Sequence, residues 1–572
     1  MPLFSCPKCG VQIEETTNDS DITIRPPFMD ALSRSNDPLS HHQYDIVHQQ
    51  YQEMVSKATT LDASMAHFRA ILDAMVLERQ RLTTALRDYK VILHPIRRLP
   101  HDILAHIFDM CLDADLKNPR RIPITDESRS TAYPGSLNTK KAPWVLAQVC
   151  SRWRQLALSL PQLWTGINLN WAYTEQVQQY SPAVEPLLGL QLQRCRDQPL
   201  AISYYGQMMA WDIGRRTKFQ TNERLLMVAC SRSLQWSTAY LGFGDIGGVR
   251  SLLSYTALFP SLENLHIELP VDMSTTDQFE VFRVAPKLRH LMITGNHGCI
   301  GRQSFPWYQI IDYVSQSEHV DGVWALTNED HFRILPFLQN VQICDLEILP
   351  PEDMGAPVDV PQQRLVLSHL HTLTLRPRFF RDVADSVREI LVWLTLPALR
   401  TLEFPSGFES YPELVAFLNR SSCHLQKLSL VDAALDDEQV VHLLGMDNMR
   451  GLHTLTIGIF DDDDGSVSIG EPLLTALRFG DGDDIRNIVL PNLVSLTLRG
   501  DKRWTDARLI EMVSSRRQNG LGDGHSRLQY LNIVDISEEG GVIEDPDALA
   551  ALRQLNDDGF VFKVNGMDLI GD

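Results

Sequence analysis

Of the 572 residues, 44% are apolar and 22% are charged, a composition typical of folded rather than disordered chains. The formal net charge of −20 argues against a nucleic-acid partner, because binding to phosphates requires a basic surface. No apolar run approaches the roughly 18 residues of a membrane-spanning helix, and residues 1–10 lack the features of a secretory signal. Nine scattered cysteines fit a reducing compartment, so we expect a cytoplasmic or nuclear protein with no membrane partner.

The first 60 residues are polar, with clusters of Pro, Ser, Asn and His, and we predict that residues 1–60 form a disordered tail. Cys6 and Cys9 in the stretch CPKCG resemble half of a zinc knuckle. A structural zinc ion needs four ligands, usually from two such pairs, and the chain has no second CxxC. The pattern therefore favours two free thiols, and we predict no metal site.

Residues 61–93 carry a heptad pattern without Gly or Pro, which predicts a coiled-coil helix. A single amphipathic helix packed on its own domain is the alternative. The narrow stripe favours a helix–helix contact, and the partner could be the same chain or a second copy, which would make a homodimer. Pro95 ends the helix. The heptad positions are Leu61, Met65, Phe68, Leu72, Met75, Arg79, Leu82, Leu86, Tyr89 and Leu93.

Two short helices are predicted after this pattern, over residues 99–108 and 144–164. The first, LPHDILAHIF, has Pro100 at its first position and Asp102 in its first turn, both favourable at a helix N-terminus. Between them, residues 113–141 have three prolines and no apolar period, so we predict a long loop. The second helix has apolar residues at steps of three and four and stops at Pro161.

Taken together, Leu99-Pro100-x-x-Ile103-Leu104-x-x-Ile107-Phe108, then Val149-Cys150-x-x-Trp153-Arg154 and Pro161-x-Leu163-Trp164, resemble an F-box. The likeness is strongest to the F-box-like proteins of mushroom-forming fungi, in which a coiled coil and a Pro-Ile-Arg-x-Leu-Pro phrase often precede the box, as at residues 95–100. Asp102 stands where Glu is usual, and the loop is longer than in a compact F-box. The resemblance implies an F-box-like domain over residues 94–166.

The second half of the chain contains nine copies of Leu-x-x-Leu-x-Leu with aliphatic or aromatic substitutes. Such a unit supplies a short strand that cannot bury its apolar face alone, so neighbouring units must stack. A degenerate copy is expected near Trp236–Leu241, and the wide gap between Leu291 and Val341 has room for another. The copies are Leu262/Leu265/Ile267, Leu288/Leu291/Ile293, Leu338/Val341/Ile343, Leu370/Leu373/Leu375, Leu399/Leu402/Phe404, Leu425/Leu428/Leu430, Leu452/Leu455/Ile457, Leu493/Leu496/Leu498 and Leu528/Leu531/Ile533.

We therefore predict an α/β protein: an N-terminal coiled-coil helix and a small all-α F-box-like domain, a linker over residues 167–199, and an irregular leucine-rich-repeat solenoid over residues 200–566. A β-rich or α/β globular domain with coincidental leucine strings is the alternative. This organisation contains no recognisable catalytic centre, because the chain lacks GxSxG, P-loop and HExxH motifs.

Two ligand-binding motifs come close to matching and are rejected. Gly242-x-Gly244-x-x-Gly247 has the spacing of a dinucleotide fingerprint, but every repeat would contain a strand, a loop and a helix. In the acidic run Asp461–Asp464, a calcium loop would require a ligand at Phe460, which has none. We predict no cofactor and no enzymatic activity.

The F-box resemblance implies a substrate adaptor that binds a Skp-family protein and, through it, a cullin–RING ubiquitin ligase. The repeats would bind an unknown protein substrate through side chains beside the leucines. A coiled-coil and repeat scaffold outside any ligase is the alternative. The candidate adaptor-binding residues, each of which could instead be a core residue, are Leu99, Pro100, Ile103, Leu104, Ile107, Phe108, Val149, Cys150 and Trp153. The candidate substrate-binding residues are His266, His290, Arg376, Glu403, Lys427 and Arg499.

Overall fold

A computed structural model gives the three-dimensional structure as two compact units, Met1–Pro100 and His101–Asp572. The residues that it describes are 4–5, 12–13, 26–112, 135–169, 184–206, 219–253, 258–270, 273, 279–316, 319–320, 323–324, 327–348, 361–377, 384–404, 411–431, 435, 437–458, 470–479, 489–499, 504–517, 526–534, 543, 545–556, 559–565 and 567–568. Among these residues, no helix is both long enough and apolar enough to cross a membrane.

The first unit is dominated by one long helix. Strands β1 (Phe4–Ser5) and β2 (Gln12–Ile13) pair antiparallel, and helix α1 spans Pro27–Leu32. Helix α2 spans His41–Ile92, 52 residues. It begins at Ser40, whose side chain accepts from the backbone N–H of Gln43 while the Gln43 side chain accepts from the Ser40 N–H. This capping box satisfies two helix-end donors, so residues 41–60 are helical and the predicted disordered tail is wrong there. Cys6 and Cys9 lie outside the described residues.

Short helices open the second unit. Helix α3 spans His101–Met110, α4 spans Leu146–Val149 and α5 spans Ser151–Ser159. Single 3-10 turns lie at Gly135–Leu137 and Pro161–Trp164. We call residues 101–112 and 135–164 the helical segment. Residues 113–134 of the predicted loop lie outside the described residues, but Ser136 and Leu137 are buried, so the loop's last part is packed.

The described residues that follow include a 15-stranded sheet, with neighbouring strands parallel except for the last pair. It is open, with strand β3 (Gly166–Asn168) at one edge and strand β21 (Met567–Asp568) at the other. Its strands are β3 (Gly166–Asn168), β4 (Leu200–Gly206), β5 (Trp236–Phe243), β6 (Asn264–Leu269), β7 (His290–Gly295), β8 (Asp312–Gln316), β11 (Ile343–Ile348), β13 (Thr372–Pro377), β15 (Thr401–Phe404), β16 (Lys427–Val431), β17 (Thr454–Gly458), β18 (Ser495–Arg499), β19 (Tyr530–Val534), β20 (Val561–Val564) and β21 (Met567–Asp568). Two small pairs are β9 (His319–Val320) with β10 (Val323–Trp324), and β12 (Leu365–Val366) with β14 (Leu394–Thr395).

Helices connect many of these strands, and most consecutive helices pack on one another. They are α6 (Val184–Cys195), α7 (Phe219–Cys230), α8 (Ile246–Leu253), α9 (Asn328–Ile334), α10 (Ala384–Trp393), α11 (Tyr411–Ser421), α12 (Asp437–Leu444), α13 (Glu471–Leu477), α14 (Asp506–Ser515) and α15 (Pro546–Asn556).

All nine copies of the leucine motif contribute strands, and burial alternates along most of them. In β7, for example, Leu291 and Ile293 are buried whereas His290 and Met292 are partly exposed, as the period of two requires. One face of the sheet is therefore core. The opposite face, whose side chains alternate with the leucines, is called the open face below.

Two details of the predicted array need correction. The linker at 167–199 is wrong, because β3 and α6 already belong to the sheet and its packed helices. The copy assigned to Leu338, Val341 and Ile343 is out of phase: Cys344 pairs with Leu373 and is buried, whereas Ile343 is exposed. The true copy is Val341-x-x-Cys344-x-Leu346. Strands β5 and β8 lie where the two degenerate copies were expected, each paired between its neighbours in the sheet.

The helical segment packs directly on the beginning of the sheet. The guanidinium of Arg194 in α6 lies 4.8 Å from the ring of Trp144 and 4.3 Å from the ring of Trp164. The Gln191 amide donates to the carbonyl oxygens of Trp164 and Gly166. These contacts explain why the predicted F-box-like and repeat regions form one compact unit.

Candidate functional site

Helix α3 divides its apolar residues between a core and a surface. Leu104 and Phe108 are fully buried, and the Phe108 ring lies 4.9 Å from that of Trp153 in α5. They stabilise the helical segment and offer no surface to another protein. Ile107 and Trp153 are half-buried, and Ile103 remains 47% exposed.

Two of the exposed apolar residues of this segment, Ile103 and Val149, lie near one end of it, whereas Met110, Val145 and Leu158 are exposed elsewhere on it. Arg152 Nε lies 3.3 Å from His101 Nε2, so the first turn of α3 lies beside the start of α5. Ile103 belongs to that first turn, and Val149, 58% exposed, comes just before α5. Cys150 is exposed and caps α5 through its sulfur, which accepts from the Trp153 N–H. This group, Ile103, Val149 and Cys150, is called the apolar end. Leu99 is half-buried and Pro100 exposed, and both belong to the first unit.

The open face contains all six residues predicted to contact a substrate. His266 and His290 lie in adjacent strands, with Met292 directly opposite His266. Arg376 is paired with Asp345 (Nη2–Oδ2 2.7 Å), and Lys427 is paired with Glu403 (Nζ–Oε1 2.6 Å). Arg499 lies in β18, opposite Gly458. The structure thus brings His266 and His290 together, pairs Glu403 with Lys427, and leaves Arg376 and Arg499 in separate strands.

A groove of about 180 Å³ lies on the open face across β5, β6, β7 and β8. Its polar lining includes Tyr240, His266, His290 and Asp312. His290 Nδ1 is 3.0 Å from Asp312 Oδ2, and His266 Nε2 is 3.0 Å from Thr294 Oγ1. Burial lowers the pKa of His266 to about 3, so this imidazole is neutral at pH 7.

Beside the groove, two phenols hold one buried carboxylate. The hydroxyl of Tyr205 donates to Glu268 Oε1 (3.2 Å), and that of Tyr240 donates to Oε2 (3.0 Å). Tyr240 also contacts His266 edge to face, with ring centroids 4.5 Å apart. Sequence reasoning missed Tyr205, Tyr240, Glu268 and Asp312, which become visible only when the strands are aligned. Tyr240, His266 and His290 in the groove lining are thus each held by a hydrogen bond.

The one glycine fingerprint in the sequence has a packing explanation. Gly242 lies inside β5, and a Cβ at this position would overlap the ring of Tyr205. Gly242 is thus required by the neighbouring strand. The acidic run 461–464 lies outside the described residues.

A serine–histidine pair lies in the core, beneath the sheet. His297 Nδ1 is 2.7 Å from the Gly295 carbonyl oxygen and must donate to it, which leaves Nε2 to accept from Ser315 Oγ at 3.0 Å. Both residues are fully buried, so no substrate reaches them. The pair lets a serine occupy a position that leucine fills in other strands. Among the described residues, no group of three or more His, Cys, Asp or Glu side chains could hold a metal ion.

The buried His297 makes stability sensitive to acid. Burial lowers the pKa of His297 to about 4, while the unfolded chain keeps a histidine pKa near 6.5. The unfolded state therefore binds more protons below pH 6.5, and stability falls as the pH falls from there towards 4. This histidine alone should remove about 2 kcal/mol between pH 7 and pH 5.

Urea denaturation of His297→Gln at both pH values checks this expectation. The variant should be less stable than wild type at pH 7 but should lose less stability on going to pH 5. An identical pH dependence of the two proteins would contradict it.

No protein-family model matches the chain, and a search of curated proteins finds no significant match. The functional argument therefore depends on the residues and their geometry.

Proposed function

We propose that this protein is a non-catalytic substrate adaptor of the F-box kind. The helical segment binds a Skp-family adaptor and, through it, a cullin–RING ubiquitin ligase, and the open face binds a protein substrate. The observation that carries the proposal is the apolar end: Ile103 and Val149 remain exposed on a segment that buries Leu104 and Phe108.

Exposed apolar side chains scattered singly over a protein need no explanation, whereas a group of them supports an interaction site. Ile103, Val149 and Cys150 form such a group because Arg152 ties the start of α3 to the start of α5. The Phe108–Trp153 contact beneath it fixes the backbone that presents these side chains. The sequence resemblance supplies the identity of the partner, a Skp-family adaptor that accepts apolar helical residues.

The groove on the open face supports a protein substrate. Its volume of about 180 Å³ is below the roughly 300–1,000 Å³ of pockets that enclose small-molecule ligands. It fits a side chain of a polypeptide better than a cofactor. Tyr240 and His266 offer aromatic surface, and Asp312 offers a hydrogen-bond acceptor at its edge. A substrate side chain with an apolar body and a donor group would match this lining.

Binding of the purified full chain to a purified Skp-family adaptor tests the proposal. Wild type should bind, and the double variant Ile103→Asp with Val149→Asp should weaken binding about 30-fold or more, since loss of a central interface contact costs about 2 kcal/mol. Isothermal titration calorimetry would measure the change.

Met110→Asp is the matched control, because Met110 is 70% exposed on the same helix, α3, but near its other end. This variant should bind like wild type, and the denaturation midpoints of all three proteins should agree. An equal loss of affinity in the control would show that the apolar end is not the specific binding site. Failure of folded wild type to bind would contradict the adaptor function itself.

The alternative, a scaffold outside any ligase, gains support from the exposed apolar side chains of α2. It predicts self-association or partner binding without affinity for a Skp-family adaptor. The same titration therefore separates the two functions.

A further inference from the structure

Helix α2 carries a longer heptad pattern than the one read from residues 61–93. Because the helix begins at His41, the same alternation of steps of three and four extends back to Tyr44. Arg79 is the single charged residue in the series. We call this series the seam: Tyr44, Val47, Tyr51, Met54, Ala58, Leu61, Met65, Phe68, Leu72, Met75, Arg79, Leu82, Leu86, Tyr89 and Leu93.

The seam is exposed along its length except at Val47, which is half-buried. Helix α2 contains no buried residue, and Leu61, Met75 and Leu82 are 63%, 65% and 56% exposed. At 1.5 Å per residue the helix is about 78 Å long. In the part of the chain that the structure describes, no other helix exceeds 12 residues. A partner of matching length is therefore another α2.

Charge decides how two copies of α2 pair. In a parallel, in-register pair, the two Arg79 side chains would meet in one layer of the seam. In an antiparallel pair, residues whose numbers sum to 133 lie opposite, so Arg79 faces Met54 of the second copy. The two Arg79 residues are then about 37 Å apart, well beyond the Debye length of about 8–10 Å.

The antiparallel register also matches charges beside the seam. Lys57 lies next to Glu78 of the second copy, and Asp62 lies next to Arg69. Shifting the register by one heptad in either direction instead brings Arg69 against Arg69 or Asp62 against Asp62. The favoured register overlaps the helices from end to end, because His41 lies opposite Ile92. Length, apolar layers and charge thus agree on one arrangement.

We propose that α2 pairs with α2 of a second copy of this chain in an antiparallel coiled coil, with its two-fold axis between Ala66 and His67. The central layers are Met65 against Phe68 and Leu61 against Leu72. This inference does not depend on the proposed function, since its test involves no Skp-family adaptor.

The first test is the mass of the full chain in solution by sedimentation equilibrium. Wild type should sediment at twice the chain mass of 64.9 kDa at micromolar concentration. Leu61→Asp with Leu72→Asp should give the monomer mass at the same concentration. The control, Ala63→Asp with Ala70→Asp, adds the same charges on the outer side of the helix and should remain dimeric. A monomeric wild type, or a dimeric seam variant, would overturn the proposal.

The second test fixes the orientation by disulfide formation, with wild type as the background for the native cysteines. Tyr51 lies opposite Leu82 of the second copy only in the antiparallel pair. A mixture of Tyr51→Cys and Leu82→Cys chains should form a cross-linked dimer on oxidation, whereas each variant alone should not. Cross-linking of Leu82→Cys alone would indicate a parallel pair and overturn the assignment.

Discussion

Replacing Arg516 by alanine is expected to lower the free energy of unfolding by about 3–5 kcal/mol, the cost of breaking a buried charged network. The side chain is fully buried directly after α14. Its three guanidinium nitrogens donate to the carbonyl oxygens of Leu477, Val489 and Leu490. Removing it leaves these buried acceptors without their donors.

The charge of Arg516 is kept despite the burial. Burial lowers the pKa of Arg516 to about 9, so the group is still protonated at pH 7. The ring of Phe479, 4.4 Å from the guanidinium carbon, covers one face of it. A lysine lacks the planar fork that reaches three carbonyls, so Arg516→Lys should recover only part of the stability.

Urea denaturation at pH 7 would measure both losses. Arg508→Ala serves as the control, because Arg508 is exposed on α14 and pairs with Glu511, a surface ion pair. Such pairs contribute about 0–1 kcal/mol. A loss of unfolding free energy in Arg516→Ala no larger than in Arg508→Ala would contradict the stabilising role of the buried Arg516 network.

Trp164→Ala is expected to cost about 3–5 kcal/mol, the range for a large buried aromatic residue. The ring is fully buried, contacts Trp144 edge to face at 5.1 Å and donates from Nε1 to the Ala157 carbonyl oxygen at 2.9 Å. Arg194 lies against the same ring, so its guanidinium would lose one of two aromatic neighbours. The variant should loosen the helical segment from the sheet.

Hydrogen exchange, together with denaturation, would locate this loss. Protection should fall both in the helical segment and in α6. Tyr308→Ala provides a matched aromatic truncation at a site that is 68% exposed, and it should change stability little. Loss of protection confined to residues 135–164 would show that the two parts are not coupled through Trp164.

The repeated strands could be predicted from sequence because their buried positions are mostly leucine. The degenerate copies show where this signal ends. In the copy that forms β8, the buried positions are Ile310 just before the strand and Tyr313 and Ser315 within it, and the serine is tolerated because His297 accepts its hydrogen bond. No residue-type pattern predicts that exchange, since the histidine comes from a preceding segment. The sequence pattern favours Ile343 over Cys344 as the buried residue for a related reason: cross-strand pairing sets the register.

For the candidate adaptor site, the sequence could predict a row of apolar residues on one side of a helix, but not which of them face a partner. The spacing of Ile103, Leu104 and Phe108 is the same whether a residue faces its own core or another protein. The position of Trp153 decides this, and it depends on how α5 packs against α3. The start of α2, in contrast, had a readable signal. Ser40 and Gln43 have the spacing of a capping box, although the polar composition around them favours a tail.

The contact of Arg194 with Trp144 and Trp164 affects the distance between a molecule bound to the helical segment and one bound to the sheet. Because the helical segment and the sheet form one packed body, molecules bound to each are separated by a distance set by the fold, without a hinge. Neighbouring strands lie about 4.8 Å apart, so moving a binding residue one strand further from β3 adds about that distance. The position of a recognition residue along the sheet would then set the distance between the two bound molecules. A ligand at β8 lies about 24 Å along the sheet from β3, and one at β16 lies about 43 Å from it.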